Sequence, residues 1–250
     1  MKILISYFSR TGSTEKLAFA IGKELEERGH SLEWEVIKPA VYYSWLREVA
    51  RDFPRYPSIA FSLVSDRWME HHIRTYNQVE EDIQPLIHPD VSEFDRICIG
   101  GPKWGQISYP VARYIQIVRG IRGKTVGSFT TFGGPPLQTF EIDLIHKPMA
   151  RLLRRMGTEC VATASVTSGY HEASLMPLFR LVSRYWFRKP IEQFMIGSEY
   201  ANTEITKFCT ELLGKSPREK DKRTRSSRSR GKRPGSSVKK DSGGMKNAKV

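Results

Sequence analysis

The sequence predicts an α/β fold in which helices cover both faces of a doubly wound, five-stranded parallel sheet. Short apolar runs alternate along the chain with segments of helical periodicity, as in repeated β-α units. Most of these runs are continuously apolar, which is expected of strands that are buried on both faces. The five predicted strands are Lys2 to Phe8, Leu32 to Ile37, Arg96 to Gly100, Thr125 to Thr131 and Cys160 to Thr167.

The helices between the strands are marked by apolar side chains at helical spacing. Leu17, Ile21 and Leu25 recur every four residues and predict the first helix, which Gly29 ends. Pro110 occupies a first-turn position of the next helix, where its missing N–H costs nothing. Later helices are predicted over residues 140–156 and 205–212.

Composition separates a folded part from a tail. The 250 residues carry a formal net charge of +13, and 39% of them are hydrophobic. Residues 215–250 contain 14 Lys and Arg, three acidic residues and almost no large apolar side chain. Residues 1–214 are nearly neutral. We therefore expect one domain over 1–214 and a disordered basic tail over 215–250, because the tail cannot bury enough surface to offset the entropy of ordering.

The sequence also predicts where the protein resides. The first strand begins at Lys2, which leaves no room for a signal peptide, and no apolar stretch reaches the roughly 18 residues of a spanning helix. The three cysteines are far apart and are expected to be reduced and structural. His71 and His72 are adjacent and would face different directions on a helix, so no metal site is assigned. We expect a cytoplasmic protein.

Two segments exceed a minimal β-α repeat, at about residues 40–90 and 170–197. Both begin after the carboxyl end of a predicted strand. In a parallel sheet these ends share one edge, where ligands of open α/β folds bind. The two additions are therefore expected to surround the functional rim.

The turn after the first strand is rich in hydroxyl groups and precedes a helix. Backbone amides at a helix start and neighbouring hydroxyls together favour an anion, and Gly12 permits close approach. The turn fits neither the Walker pattern nor G-x-G-x-x-G, which disfavours nucleoside triphosphates and dinucleotides. Simple helix capping is the alternative interpretation. The residues of the turn are Ser9, Arg10, Thr11, Gly12, Ser13 and Thr14.

The segment from Ile5 to Glu15 resembles the FMN-phosphate loop of the flavodoxin family, with Ser13 where many relatives have Asn. The resemblance covers roughly residues 1–170 and 198–214. It implies a flavodoxin-like sheet of strand order 2-1-3-4-5, non-covalently bound FMN, and a phosphate held by Ser9 to Thr14.

Two further segments resemble the loops that flank the isoalloxazine ring in that family. The first follows the third strand, and the resemblance implies that Trp104 stacks on the flavin; a tryptophan that caps the sheet edge is the alternative. The second follows the fourth strand, where only Phe132 or Phe140 could replace the stacking tyrosine of many flavodoxins. The implied cofactor residues are Pro102, Lys103, Trp104 and Gly105, then Thr131, Phe132, Gly133 and Gly134.

Lys103 and His171 are the candidate catalytic residues. An ammonium group within about 6 Å of the flavin N1 to C2 region would stabilise the negative charge of the reduced ring and favour two-electron transfer. His171 follows the fifth strand and could supply a proton to a reduced quinone, although an exposed loop histidine is the simpler interpretation.

The second addition contains an amphipathic segment, Leu175 to Lys189. Its arginines recur every four residues, and Phe179, Val182, Tyr185 and Trp186 occupy much of the opposite face. It is either a lid packed on the domain or an interfacial membrane helix. Aromatic residues of the first addition could form a substrate pocket, a dimer contact or ordinary core: Tyr42, Tyr43, Trp45, Phe53, Tyr56, Phe61 and Trp68.

The resemblance implies an FMN-dependent oxidoreductase or an electron-transfer protein. The additions favour an enzyme of the quinone reductase or FMN reductase type, or a protein that docks on a redox partner. The implied partners are a redox protein or a small quinone-like substrate, with a homodimer as a further possibility. The competing function is a non-catalytic docking module that binds a protein, a membrane surface or RNA through the rim helices and the basic tail.

Overall fold

The computed structural model describes residues 1–43, 82–104, 106–168 and 176–214, with seven isolated positions: Arg47, Ala50, Phe61, Ser65, Arg67, Trp68 and His71. Most of the first addition lies outside these residues. The predicted tail, 215–250, also lies outside them, so its disorder stays a prediction.

The described residues form six strands: β1 (Lys2–Tyr7), β2 (Ser31–Val36), β3 (Arg96–Trp104), β4 (Gln106–Ile107), β5 (Thr125–Phe132) and β6 (Glu159–Thr167). The sheet order is β2-β1-β3-β5-β6, and all four pairings along it are parallel. This confirms the five predicted strands and their order 2-1-3-4-5, the flavodoxin-like arrangement.

The third strand is longer than the sequence predicted, because a short partner strand extends it. It continues beyond Gly100 to Trp104, where β4 pairs with its last residues in antiparallel register, Lys103 with Ile107 and Trp104 with Gln106. The backbone hydrogen bonds of this small hairpin hold the segment extended at the carboxyl edge.

In the continuous described segments five α-helices accompany the strands: α1 (Ser13–Glu27), α2 (Tyr109–Ile117), α3 (Leu144–Arg155), α4 (Met176–Phe187) and α5 (Glu199–Leu213). A π-helical turn, Gln138–Asp143, precedes α3, and a 3₁₀ turn, Ile191–Phe194, precedes α5. Gly29 lies just beyond α1 with φ of +81°, as expected of a glycine that ends a helix.

The sheet separates two apolar cores. Ile3 and Ile5 of β1 face a core that α1 and α5 complete, whereas Leu4 faces a second core with α2 and α3. This alternation follows from the two-residue period of a strand and confirms burial on both faces. Packing between strands is equally close: a side chain at Gly100 would collide with the ring of Phe129 on β5.

The cysteines are free, as predicted. Cys98 and Cys209 are buried in the first core, and Cys160 is partly buried. Burial raises the pKa of the Cys209 thiol to about 12 and that of Cys160 to about 11. All three are therefore protonated structural side chains at neutral pH.

The two ends of the first addition pair with each other where they leave the sheet. Pro39 forms an antiparallel bridge with Ile83, the Ala40 amide donates to Asp82 at 2.8 Å, and the Gln84 amide donates to Lys38 at 2.8 Å. The addition therefore begins and ends at one narrow neck beyond β2.

The second addition returns to the carboxyl edge, as predicted. Phe179 of α4 lies against the Gly133–Gly134 turn that follows β5, and Met195 forms a parallel bridge with Thr167 at the end of β6. None of the described helices combines the length and apolar character needed to cross a membrane.

Candidate functional site

The turn from β1 to α1 has the backbone conformation that its sequence requires. Gly12 adopts φ of +82° and ψ of −8°, in the left-handed region that glycine enters without strain. α1 starts at the next residue, and no side chain caps its amino terminus. The amides of the first helical turn are thus left to an external acceptor, such as water or an anion.

The hydroxyl groups of this turn have different environments. The Oγ of Ser9 is buried and has no hydrogen-bond partner within the protein, whereas Thr11 is exposed and lies 3.4 Å from the Oγ of Ser13. A buried hydroxyl without a partner costs free energy unless something else satisfies it. Ser9 is therefore the strongest sign that the turn accommodates a bound group.

Arg10 and Thr14 tie the turn to distant parts of the chain. The guanidinium of Arg10 donates to the carbonyl of Tyr43 at 3.1 Å, close to the first addition. Thr14 is buried, and its hydroxyl lies 2.8 Å from that of Thr131 at the end of β5. This hydrogen bond directly joins the turn predicted to hold the phosphate to the segment at the end of β5 that was predicted to flank the flavin ring.

The first segment predicted to flank the isoalloxazine ring forms the end of β3 and its hairpin connection to β4. At Gly101 a Cβ atom would lie 2.7 Å from Val111 and 2.8 Å from the Oγ of Ser108, so only glycine lets α2 approach the strand this closely. Gly105 and the side chain of Trp104 lie outside the described residues. Stacking of Trp104 on a flavin stays a prediction.

Two side chains in this hairpin region are buried and lack partners. Neither the Nε2 nor the Oε1 of Gln106 has a hydrogen-bond partner, and the same holds for the Oγ of Ser108. Gln106 is 5% exposed and Ser108 1%. With Ser9, they contribute four of the seven buried side-chain polar atoms without a protein partner among the described residues.

Lys103 forms a shielded ion pair with Glu141 of the π-helical turn. Its Nζ lies 2.6 Å from Glu141 Oε2 and donates to the carbonyl of Phe140 at 2.7 Å. Burial raises the pKa of the Glu141 carboxyl, and the charge and hydrogen bond of Lys103 oppose that rise. The positive charge predicted beside the flavin is therefore coupled to a carboxyl group, which weakens its field elsewhere.

The turn after β5 is closely packed. Thr131 and Phe132 are buried, and Thr167 donates to the carbonyl of Gly134 at 2.9 Å. A side chain at Gly134 would meet Glu141 Oε1 at 2.7 Å. The Phe132 ring thus belongs to the packed interior, whereas Phe140, the other candidate for ring stacking, is 53% exposed.

An apolar groove of about 460 Å³ lies beside this ion pair. The π-helical turn forms one wall and α4 the other, and the lining residues are Leu137, Gln138, Thr139, Phe140, Leu181, Val182, Tyr185 and Trp186. Because Phe140 also accepts the hydrogen bond from Lys103, the groove and the ion pair share one structural element.

The structure brings together most of the residues that the sequence singled out at this edge. His171 lies outside the described residues, and its role stays a prediction. Pro102 lies in β3 next to Thr131 of β5. Among the described residues no cluster of three His, Cys, Asp or Glu side chains could hold a metal ion.

Sequence reasoning missed Glu141, Gln106 and Ser108. Glu141 follows Lys103 by 38 positions, so no local pattern links them. The buried amide of Gln106 and hydroxyl of Ser108 depend on a hairpin that the sequence did not predict. Their only signal in the sequence was that Gln106 and Ser108 directly follow the Gly-Gly-Pro-Lys-Trp-Gly run.

No protein-family model and no curated protein matches the sequence. A flavoprotein from Lactobacillus acidophilus NCFM, solved in complex with FMN, is 17% identical, with 71% of this chain and 97% of that chain covered and a TM-score of 0.45. Oxidised flavodoxin 2 from Bacillus cereus is 14% identical, with 85% and 98% covered and a TM-score of 0.45. An azoreductase from Bacillus anthracis is 14% identical, with 83% and 100% covered and a TM-score of 0.44.

The fold assignment rests on the sheet itself. Five parallel strands lie in the order β2-β1-β3-β5-β6, and helices cover both faces. The strand order reverses direction between β1 and β3, which is where such sheets bind ligands at their carboxyl edge. The chain therefore has a flavodoxin-like fold.

Proposed function

We propose that the protein binds FMN non-covalently at the carboxyl edge of its sheet and acts as an FMN-dependent oxidoreductase. The observation that carries this proposal is that buried polar atoms without protein partners, at Ser9, Gln106 and Ser108, follow the carboxyl ends of the neighbouring strands β1 and β3. Native proteins rarely leave buried polar atoms unsatisfied, so these atoms mark a place for a ligand or ordered water.

The arrangement of donors fits a mononucleotide with a terminal phosphate. The turn Ser9 to Thr14 offers hydroxyls and the free amides of the α1 amino terminus to a phosphate. Gln106 and Ser108, beyond β3, offer an amide and a hydroxyl to the polar edge of a ring system. When bound, FMN supplies one-electron and two-electron redox chemistry, while the protein sets its orientation and potential.

An enzyme is favoured over a simple electron carrier by the groove beside Glu141. A groove of about 460 Å³ with apolar and aromatic walls suits a flat, apolar substrate such as a quinone. The substrate class that we propose for this groove is a quinone-like acceptor.

The first test compares FMN with riboflavin, which lacks the phosphate. We expect flavin fluorescence titrations to show that FMN binds at least about 100-fold more tightly, since several phosphate hydrogen bonds are at stake. The double variant Thr11→Ala with Ser13→Ala should lose most of this preference. Thr203→Ala, an exposed threonine on α5, is the matched control.

The second test is functional. The FMN-loaded protein is reduced anaerobically with NADH, NADPH or reduced ferredoxin and then mixed with a soluble quinone. We expect the quinone to reoxidise the flavin more slowly in the Leu181→Asp variant, which alters the groove, and this result would support the oxidoreductase function. Failure of FMN to bind at micromolar concentration would reject the proposal and leave a non-catalytic docking module as the better account.

A further inference from the structure

Helix α4 has two apolar faces, and only one of them is packed. Its inner face buries Met176, sets Phe179 against the Gly133–Gly134 turn, and places Phe187 5.1 Å from the ring of Phe194. Ser183 is also buried there, and its hydroxyl donates to the Lys189 carbonyl. These contacts fix the orientation of the helix. The opposite, outer face is therefore exposed.

The outer face carries four large hydrophobic side chains. The exposed fractions are 52% for Leu178, 65% for Leu181, 80% for Tyr185 and 69% for Trp186. At 3.6 residues per turn these positions form one stripe along the helix. Phe140, across the groove, adds a fifth exposed hydrophobic side chain. Such a cluster on a monomer surface marks a site of interaction.

The helix and the two residues that follow it are strongly basic. Arg180, Arg184, Arg188 and Lys189 are exposed, and the sequence has no acidic residue between Met176 and Ile191. Among the described ion pairs, Arg180 lies 3.2 Å from Glu192 of the 3₁₀ turn, and both side chains are exposed. The arginines at 180 and 184 lie along one flank of the apolar stripe rather than within it, as the helical spacing requires.

A second copy of the chain does not suit this surface. An antiparallel twofold contact through α4 would bring the same arginine flank of both molecules together, without acidic residues of the helix to compensate. A bilayer with anionic lipids fits better on each count. Leucine side chains enter the acyl boundary, tyrosine and tryptophan prefer the interface, and arginines bind the headgroup phosphates.

We propose that the outer face of α4, with Phe140, docks the protein on an anionic membrane surface. The apolar stripe lies in the interface and the arginine flank contacts lipid headgroups. This inference does not depend on flavin binding. It places the groove beside Glu141 at the membrane, where apolar acceptors are concentrated.

The test is sedimentation of the full-length protein with vesicles. We expect binding to phosphatidylcholine vesicles that contain about 30% phosphatidylglycerol, and at least about tenfold weaker binding to phosphatidylcholine alone. Leu181→Asp with Trp186→Asp should reduce binding at least about tenfold, because two apolar anchors are lost. Ile87→Asp, at a loop residue that is 72% exposed, is the matched control and should bind normally.

A second pair of variants tests the charge. Arg180→Gln with Arg184→Gln should weaken binding to the anionic vesicles, whereas Lys16→Gln with Lys207→Gln, which removes two exposed charges elsewhere, should have little effect. Circular dichroism of each variant shows that the fold is retained.

Three results would overturn the proposal. One is binding that persists in Leu181→Asp with Trp186→Asp, which would assign the attraction to the basic tail. Another is that the parent protein does not bind vesicles but forms a dimer in light scattering, and that these substitutions dissociate this dimer. The third is equal binding to neutral and anionic vesicles.

Discussion

The hydroxyl of Ser6 lies 2.8 Å from that of Tyr114, inside the sheet, whereas the hydroxyl of Ser9, three residues later at the carboxyl edge, is buried without a protein partner. Thr130 and Thr167, which also lie near the carboxyl ends of their strands, donate to the carbonyls of Gly101 and Gly134. Most of these strand hydroxyls therefore find partners within the protein, and the Ser9 hydroxyl is left for water or the proposed ligand.

The largest effect is expected in the interior. Phe129 is fully buried on β5, with the ring of Phe208 at 6.3 Å and with Gly100 directly against it. Phe129→Ala should lower the free energy of unfolding by about 4 kcal/mol, the usual cost of emptying such a site. Urea denaturation measures this loss. A loss below about 1 kcal/mol would mean that the interior is loosely packed.

A smaller but still large effect is expected at the ion pair of the edge. Lys103→Met leaves the Glu141 carboxylate buried without its cation and should cost about 3 kcal/mol at neutral pH. The cost should shrink as the pH falls, because a protonated carboxyl carries no charge. The double variant Lys103→Met with Glu141→Gln should recover most of the stability. An equal cost at all pH values would show that the charge is not responsible.

His146 should make the stability of the protein depend on pH. It lies 3.3 Å from the Ser128 hydroxyl and 2.6 Å from that of Ser165, and burial lowers its pKa to about 4. Below pH 6.5 the unfolded chain binds the proton more readily, so stability should fall between about pH 6.5 and 4. The shift corresponds to at most about 3 kcal/mol. His146→Gln should flatten this part of the pH profile in thermal unfolding.

The two serines of the first strand and its turn provide a matched pair. Ser6→Ala removes the partner of the buried Tyr114 hydroxyl and should cost about 1 kcal/mol. The double variant Ser6→Ala with Tyr114→Phe should recover part of the lost stability. A double-mutant cycle that shows this coupling would assign the loss to this hydrogen bond. A cycle with no coupling would contradict the assignment.

Ser9→Ala should change the stability in the opposite direction to Ser6→Ala. It removes a buried hydroxyl without a partner and should stabilise the flavin-free protein by up to about 1 kcal/mol. The same change should weaken FMN binding about tenfold, because one phosphate hydrogen bond is lost. Thermal shifts with and without FMN measure both effects. Destabilisation of the flavin-free protein would show that Ser9 has a structural role instead.

The strands and the left-handed turn before α1 could be predicted from the sequence because their signals are local; that the turn holds a phosphate stays a prediction. Continuous apolar runs mark the strands, and Gly12 lies between the hydroxyl-rich turn and a periodic helix. The contacts that complete the site join residues far apart in the chain. Thr14 meets Thr131, and Lys103 meets Glu141, only because parallel strands bring their carboxyl ends to one edge.

The extent of β3 and the orientation of α4 could not be predicted for a related reason. The last residues of β3 are extended because β4 folds back on them, and nothing in their own sequence requires it. In α4 both faces are apolar, so periodicity alone cannot decide which one packs. The glycines at 133 and 134 decide it, since they leave room for Phe179.

The neck at Pro39 and Ile83 has a consequence for how such a protein can diversify. Because the chain leaves and re-enters the sheet through paired backbone, the intervening length can change without disturbing the register of β2 or β3. Lengthening a closed loop costs little additional entropy. The segment between Pro39 and Ile83 can therefore vary in length while the sheet that carries the proposed FMN site is kept.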